Sequence, residues 1–178
     1  MKKAAVTYLS RYGFTKQYAD WISQALSCDE IDFSKNKKPD LSSYDVVIHG
    51  GGIYAGSVSG LKELKTALSG AQGKALTVFT VGSAPPEETD YAPLIDKNFP
   101  GAKEKSIRFF HLRGGIDFDA MKGVHKMMMA MMRKMMAKQK ELCEEEKRVL
   151  GFYGGRVDFC DEAAVSPLVE YVKELLNT

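Results

Sequence analysis

The chain has 178 residues, 44% hydrophobic and 27% charged, with 16 glycines and 6 prolines. This composition excludes collagen-like, low-complexity and fully disordered chains, and the length predicts one sizeable core burying roughly 70% of the unfolded surface rather than two domains. Twenty-five Lys and Arg stand against 23 Asp and Glu, a formal charge of +2, so no global field is present to hold nucleic acid, and none is expected as a partner.

Ala4-Ala5-Val6-Thr7-Tyr8-Leu9 is an apolar run without alternation, which predicts a first strand buried on both faces. Thr15 to Leu26 predicts a helix with Tyr18, Ala19, Ile22, Ala25 and Leu26 on one stripe. Glu30 to Phe33 is a weaker second strand, followed by the polar linker Ser34 to Ser43. Asp45 to His49 is a strong third strand that ends in Gly50-Gly51-Gly52, and Val58 to Leu68 reads as a helix with Leu61, Leu64 and Leu68 inward. Ala75 to Val81 and Ser106 to Leu112 give the fourth and fifth strands. Asp161 to Leu176 closes the chain as a helix, with Val165, Leu168, Val169 and Val172 toward the core. Residues 116–150 break the alternation and read as a late helical insertion. Strands separated by helices imply a doubly wound α/β fold with a parallel sheet covered on both faces. Ligands bind such sheets beyond the carboxyl ends of the strands.

The first of those ends carries Ser10-Arg11-Tyr12-Gly13-Phe14-Thr15. Hydroxyls at both ends of a tight turn, a central glycine and the free N–H groups of a helix start describe an anion site. The same residues also describe a plain capped helix with Thr15 as N-cap and Gly13 in a turn. Other phosphate motifs fail. The chain lacks a G-K-[ST] triplet, and the G-x-G-x-x-A match at Gly50, Gly52 and Ala55 follows the third strand with no acidic residue about 20 positions on. Ser57 or Ser59 reads as the N-cap of the next helix. His49, His111 and His125 are far apart and without ligand spacing, so no metal site is expected. Glu87, Glu88 and Asp90 form a small acidic run, and Arg108 and Arg113 are cations that could offset it or recognise carboxylates.

Ser10-x-x-Gly13-x-Thr15, Gly52-Ile53-Tyr54-Ala55-Gly56-Ser57 and Val81-Gly82-Ser83-Ala84-Pro85, in that order after strands one, three and four, resemble the flavodoxin family. Tyr44-Asp45-Val46-Val47-Ile48-His49-Gly50-Gly51-Gly52-Ile53-Tyr54-Ala55-Gly56 is most similar in flavour to the flavodoxin-like, menaquinone-dependent protoporphyrinogen oxidases, which also carry a late helical insertion. The resemblance implies one flavodoxin-like domain over residues 1–178, a five-stranded parallel sheet in the order 2-1-3-4-5, and FMN held without a covalent bond. It implies that Ser10, Arg11, Tyr12, Gly13, Phe14 and Thr15 wrap the phosphate. Gly52, Ile53, Tyr54, Ala55, Gly56 and Ser57 would flank one side of the flavin ring, with Val81, Gly82, Ser83 and Ala84 on the other. In the family a peptide after the third strand flips to accept the proton gained at N5, and Gly56 occupies that place here. Flavodoxins often stack a tryptophan just before that glycine, whereas this chain has Ala55, with Tyr54 one residue earlier and Tyr91 the first aromatic after the fourth strand.

The insertion holds eight of the nine methionines, from Met121 to Met136, and its basic residues Lys122, Lys126, Arg133, Lys134, Lys138 and Lys140 come with no acidic residue between Ala120 and Lys140. Wound at about 3.6 residues per turn, the methionines span an arc of roughly 200° with most cations opposite. One reading is a core helix packed on the sheet. Another is an adaptable face for an apolar ligand or partner, or a seat on an anionic membrane surface through residues 120–140.

Three functions stand on these features: an FMN-dependent oxidoreductase acting on protoporphyrinogen or a quinone, a noncatalytic electron-transfer flavodoxin serving a redox protein, and an interaction module using the methionine helix. The electron donor or acceptor is expected to be a small molecule or a redox protein, and no side chain is assigned a catalytic role. Cys28, Cys143 and Cys160 are odd in number and lack a C-x-x-C pair, so a reducing cytoplasm is the expected setting, with the inner membrane face as a peripheral site. Met1-Lys2-Lys3 imitates a signal-peptide start, but the apolar stretch before Arg11 is too short for one, and no run approaches the ~18 apolar residues of a membrane span.

Overall fold

A computed structural model describes residues 2–69, 73–101, 106–136 and 154–178, together with Lys147 and Gly151. In chain order its first elements are β1 (Ala4–Leu9), α1 (Phe14–Leu26), β2 (Asp29–Asp32), β3 (Val46–Tyr54), β4 (Ser57–Val58) and α2 (Leu61–Leu68). They are followed by β5 (Ala75–Gly82), α3 (Ala92–Asn98), β6 (Arg108–Arg113), β7 (Gly115–Asp117), α4 (Gly123–Met136), β8 (Arg156–Asp158) and α5 (Ser166–Asn177).

The sheet runs β2-β1-β3-β5-β6, with every neighbouring pair parallel. Setting aside the two-residue β4, which pairs antiparallel with the end of β3, this is the expected order 2-1-3-4-5. The apolar strands bury both faces. Val6, Tyr8, Val46, Ile48, Phe79 and Val81 pack with α1 and α5 through Tyr18, Ile22, Leu168 and Val172. On the opposite face Val47 packs with Phe33, Leu41 and Leu64, and Val78 with Val58 and Phe99. A side chain such as Ile48, fully buried, contributes about 1.5–3 kcal/mol, which is why the strands are continuous apolar runs rather than alternating ones.

Several boundaries differ from the sequence reading, each for a local reason. β3 runs five residues beyond His49, because the triple glycine lets the strand pass under bulky neighbours: a β-carbon on Gly50 would lie 2.1 Å from Phe79 Cζ. Helix α2 starts at Leu61, not Val58, since the chain first turns back as β4. Gly60, at φ +84°, opens that helix with no side-chain cap, so neither Ser57 nor Ser59 is its N-cap. Gly13, not Thr15, holds the N-cap position of α1, and Thr15 lies inside the helix. The last helix is preceded by a short 3-10 turn, Glu162–Val165, whose start is capped by Asp161 accepting from the Ala163 N–H at 2.9 Å.

The insertion is wider than expected. It leaves the sheet through β7 and returns through β8, an antiparallel ribbon pairing Gly115 with Asp158 and Asp117 with Arg156. Between them α4 covers residues 123–136 of the expected helix 120–140, and its expected last turn, 137–140, lies outside the described residues, as do Cys143 and residues 148–150. The outer side of α4 does not pack on the core. Met127, Met131, Met135 and Met128 are 67%, 64%, 57% and 46% exposed.

Candidate functional site

The first loop joins β1 to α1 in four residues. The Ser10 Oγ accepts a hydrogen bond from the Gly13 N–H at 3.2 Å, and the Gly13 carbonyl accepts the first helical bond from the Gln17 N–H at 2.9 Å. Gly13 sits at φ +95° with open space where a β-carbon would be, so its conformation rather than crowding calls for glycine. The N-cap, Gly13, brings no capping side chain to α1, and the first N–H groups of the helix carry the positive end of its dipole. Thr15 is buried beside them.

The third loop is a two-residue hairpin. Ala55 at φ +47° and Gly56 at φ +68° reverse the chain between Tyr54 and Ser57, which is the positive-φ pair that a tight hairpin turn needs. The buried Asn98 of α3 holds this turn. Its Nδ2 donates to the Gly56 carbonyl at 3.0 Å and to the Leu94 carbonyl at 2.8 Å, while its Oδ1 accepts from the Val58 N–H at 3.1 Å. Lys97 Nζ donates to the Ala55 carbonyl at 3.4 Å. Beneath the loop lies His49, fully buried. Its Nε2–H donates to the Ser59 carbonyl at 3.0 Å, and its Nδ1, 3.1 Å from Thr7 Oγ1, is left to accept from that hydroxyl. Burial pushes its pKa down to about 4, so the ring is a neutral strut.

The fourth-strand loop is held from β6. Arg113 Nε donates to the Ser83 carbonyl at 3.3 Å, and the Gly114 N–H donates to the Gly82 carbonyl at 2.7 Å. The Arg113 guanidinium lies 3.9 Å from the centre of the Phe159 ring, while Arg108 sits over Phe110 and Tyr171. Both arginines are thus engaged structurally and neither lines the cavity described next. Glu87, Glu88 and Asp90 are exposed around a 3-10 turn, Pro86–Glu88, and do not line it either. Tyr91 stacks face to face on His111, 3.5 Å between ring centres. His111 Nδ1 lies 2.6 Å from Thr80 Oγ1, and burial lowers its pKa to about 4.

These loops meet around one cavity of about 250 Å³. Ser10, Arg11, Tyr12, Phe14 and Thr15 line it from the first loop, Gly52, Ile53, Tyr54 and Ala55 from the third, and Val81, Gly82 and Ser83 from the fourth. Gly13, Gly56, Ser57 and Ala84 do not line it. Among the described residues Arg11 is the only charged one in the lining. Its guanidinium lies 4.9 Å from the centre of the Tyr54 ring, which in turn tilts against Tyr12 with centroids 6.1 Å apart. Burial pushes the Tyr54 pKa up to about 12, so its phenol keeps its proton near neutrality. Among the described residues no three His, Cys, Asp or Glu side chains converge as a metal site.

Sequence reasoning missed one side of this cavity. Gly115 and Ile116 of β7 and Met121, Met128 and Met129 of the insertion also line it. The ribbon is seated on the first loop. A β-carbon on Gly115 would lie 2.7 Å from Phe14 Cζ, and the Arg156 guanidinium lies 4.9 Å from the centre of the Phe14 ring. Arg156 also approaches Asp117 at 3.6 Å and Asp158 at 3.4 Å. The wide apolar arc was the available signal, but nothing in it says which methionines turn inward. Asn98, a lone polar residue in a short helix, left no signal.

A family model described as flavodoxin domain matches residues 5–142. Among solved structures, the chain is similar to a flavodoxin from the domain Archaea, at 21% identity over 62% of this chain and 82% of that one, with a TM-score of 0.46. It is also similar to oxidised flavodoxin 2 from Bacillus cereus, at 18% identity over 62% and 84% with a TM-score of 0.46. A flavoprotein in complex with FMN from Lactobacillus acidophilus NCFM matches at 14% identity over 64% and 93%, with a TM-score of 0.44. No curated protein matches.

Proposed function

This chain belongs to the flavodoxin domain family, and from that premise we propose that its cavity holds FMN without a covalent bond and that the protein is an FMN-dependent oxidoreductase. The observation that carries this reading is the convergence of three strand-end loops on one cavity in which, among the described residues, the only charge is Arg11 and the rest of the lining is backbone, hydroxyl and apolar surface. The donor set fits a phosphate joined to a flat ring. Uncapped N–H groups at the start of α1, the Ser10 and Thr15 hydroxyls and Arg11 suit the dianion. Gly52, Gly82, Ile53, Val81 and the Tyr54 ring suit a planar apolar body with polar edges. Bound FMN supplies one- and two-electron chemistry, and the chain's part is to position and tune it. Lys97 and Asn98 hold the carbonyls of the two turn residues, Ala55 and Gly56, beside the cavity that Ala55 lines.

The methionine wall favours a substrate over a purely electron-carrying role. Met121, Met128 and Met129 present flexible, polarizable surface to the cavity, the kind that adapts to a flat apolar molecule. A quinone or a porphyrinogen such as protoporphyrinogen is the substrate class of this reading. Cys28 and Cys160 are free thiols, in keeping with the cytoplasmic setting that the same reading assigns.

FMN and riboflavin titrations of the apoprotein, followed by flavin fluorescence and the visible spectrum, test the site. Ser10→Ala combined with Thr15→Val is expected to weaken FMN at least about tenfold while leaving riboflavin unchanged, since each hydrogen bond to a charged group contributes about 1.5–3 kcal/mol. Unchanged FMN affinity would overturn the loop assignment. Stopped-flow reoxidation of the reduced protein by quinones, at rates above those with redox proteins, separates the enzyme from the carrier.

A further inference from the structure

The described side chains of α4 meet two surroundings, the cavity and solvent. Met129, and Met128 in part, face the cavity. Met127, Met131 and Met135 follow one another at intervals of four residues and face solvent, 67%, 64% and 57% exposed. Lys126 and Lys134 are exposed; wound at about 100° per residue, Lys134 flanks the stripe about 20° from Met127 and Lys126 lies about 100° from it on the same side. Among the described residues, every exposed large hydrophobic side chain is on this helix. A face so concentrated calls for a covering surface, since scattered exposed apolar residues are ordinary whereas a clustered stripe is not.

We propose that α4 docks on an anionic lipid bilayer, its outer methionine stripe entering the headgroup and acyl boundary while Lys126 and Lys134 lie against the lipid phosphates. The charge pattern selects this occupant. The span from Ala120 to Lys140 holds cations and no carboxylate, and a basic amphipathic helix with an apolar opposite side is the form that lies in a membrane interface. Met128 is 46% exposed and also lines the cavity, so the docked face is continuous with the cavity. A bilayer-dissolved substrate would then reach the cavity without crossing water. The docking itself rests on α4 alone and not on the cofactor reading, and the following measurement uses the protein without flavin.

Co-flotation of the full chain with vesicles of phosphatidylcholine mixed with phosphatidylglycerol, against vesicles of phosphatidylcholine alone, reads the interaction. The unaltered chain is expected to float with the anionic vesicles and to be released as salt is raised. Met127→Gln with Met131→Gln and Met135→Gln should weaken binding at least about tenfold, and so should Lys126→Gln with Lys134→Gln. The salt dependence of the unaltered chain keeps the test decisive if a variant folds poorly, which circular dichroism reports. No flotation with anionic vesicles overturns the proposal, as does equal binding to both vesicle types that ignores the lysine pair. A dimer seen by light scattering that the methionine variant dissociates, without vesicle binding, overturns it in favour of a second copy of this chain.

Discussion

Replacing Gly52 with alanine is expected to weaken FMN while leaving the fold at least as stable. Gly52 stands where the first and third loops meet. A β-carbon there would lie 3.1 Å from Tyr54 Cε2 and 3.5 Å from Thr15 Oγ1. The closer contact is with the edge of a tyrosine ring, which can give way by a few tenths of an ångström. Gly52 is also outside the positive-φ glycines, so alanine adds no backbone strain and gains about 0.5–1 kcal/mol in a strand by restricting the unfolded chain. The ligand-bound site has no such slack, because the Tyr54 ring would be caught between the new methyl group and whatever fills the 250 Å³ cavity. Adding a methyl group to a filled space costs about 1–3 kcal/mol, a rise of roughly 5- to 150-fold in Kd. Flavin fluorescence titration gives the affinity. Urea unfolding of the apoprotein, followed through the single tryptophan, Trp21, gives the stability. Opposite signs in the two measurements are the signature. An FMN affinity within about twofold of the unaltered chain, with stability unchanged, would refute the claim that these two loops share one ligand.

Ala55→Gly should stabilise the protein by about 1 kcal/mol, since alanine at φ +47° occupies a region that glycine enters freely, and raise Tm by about 2–4 °C in calorimetry. Asn98→Ala leaves the Gly56 carbonyl and the Val58 N–H without their partner and should cost about 2–4 kcal/mol in urea unfolding, with FMN affinity falling as well. His49 and His111 have folded pKa values near 4, below the unfolded value of about 6.5. The unfolded chain therefore takes up protons that the folded one refuses, so their contribution is complete above about pH 6.5 and is lost as pH falls toward about 4. A urea midpoint that stays flat across that window would contradict this. Gly50→Ala should fail to fold, because its methyl group would overlap the buried Phe79 ring, 2.1 Å from Cζ, and recovery of soluble, cooperatively unfolding protein would show the core to be more yielding than this geometry implies.

Much of the fold was legible because apolar runs such as Ala4–Leu9 and Asp45–His49 have the length and continuity of strands buried on two faces. The extension of β3 through Gly50, Gly51 and Gly52 was not. Glycine disfavours strands in isolation, and here the requirement comes from neighbours that are distant in sequence, Phe79 on β5 and the Ser59 backbone beside β4. The start of α2 was misplaced for a related reason, since Ser57 and Ser59 look like caps until β4 pairs with β3. The β7–β8 ribbon is two segments of three residues, too short for a periodic signal. For the site, three loops in the right order were readable from their small and hydroxyl residues. Their supports, Asn98, His49 and Arg113, act mainly through contacts to residues distant in sequence, which leave no pattern in the chain.

The way the insertion is anchored bears on how the molecule can diversify. Its two ends run side by side, the Phe118 N–H donating to the Gly155 carbonyl at 3.0 Å and the Phe159 N–H to the Gly114 carbonyl at 3.2 Å. The described residues between those ends form a canopy that enters none of the strand pairings of the main sheet. A lineage could therefore lengthen, trim or re-chemise that canopy one change at a time, altering what reaches the cavity from above while the floor beneath it keeps its shape.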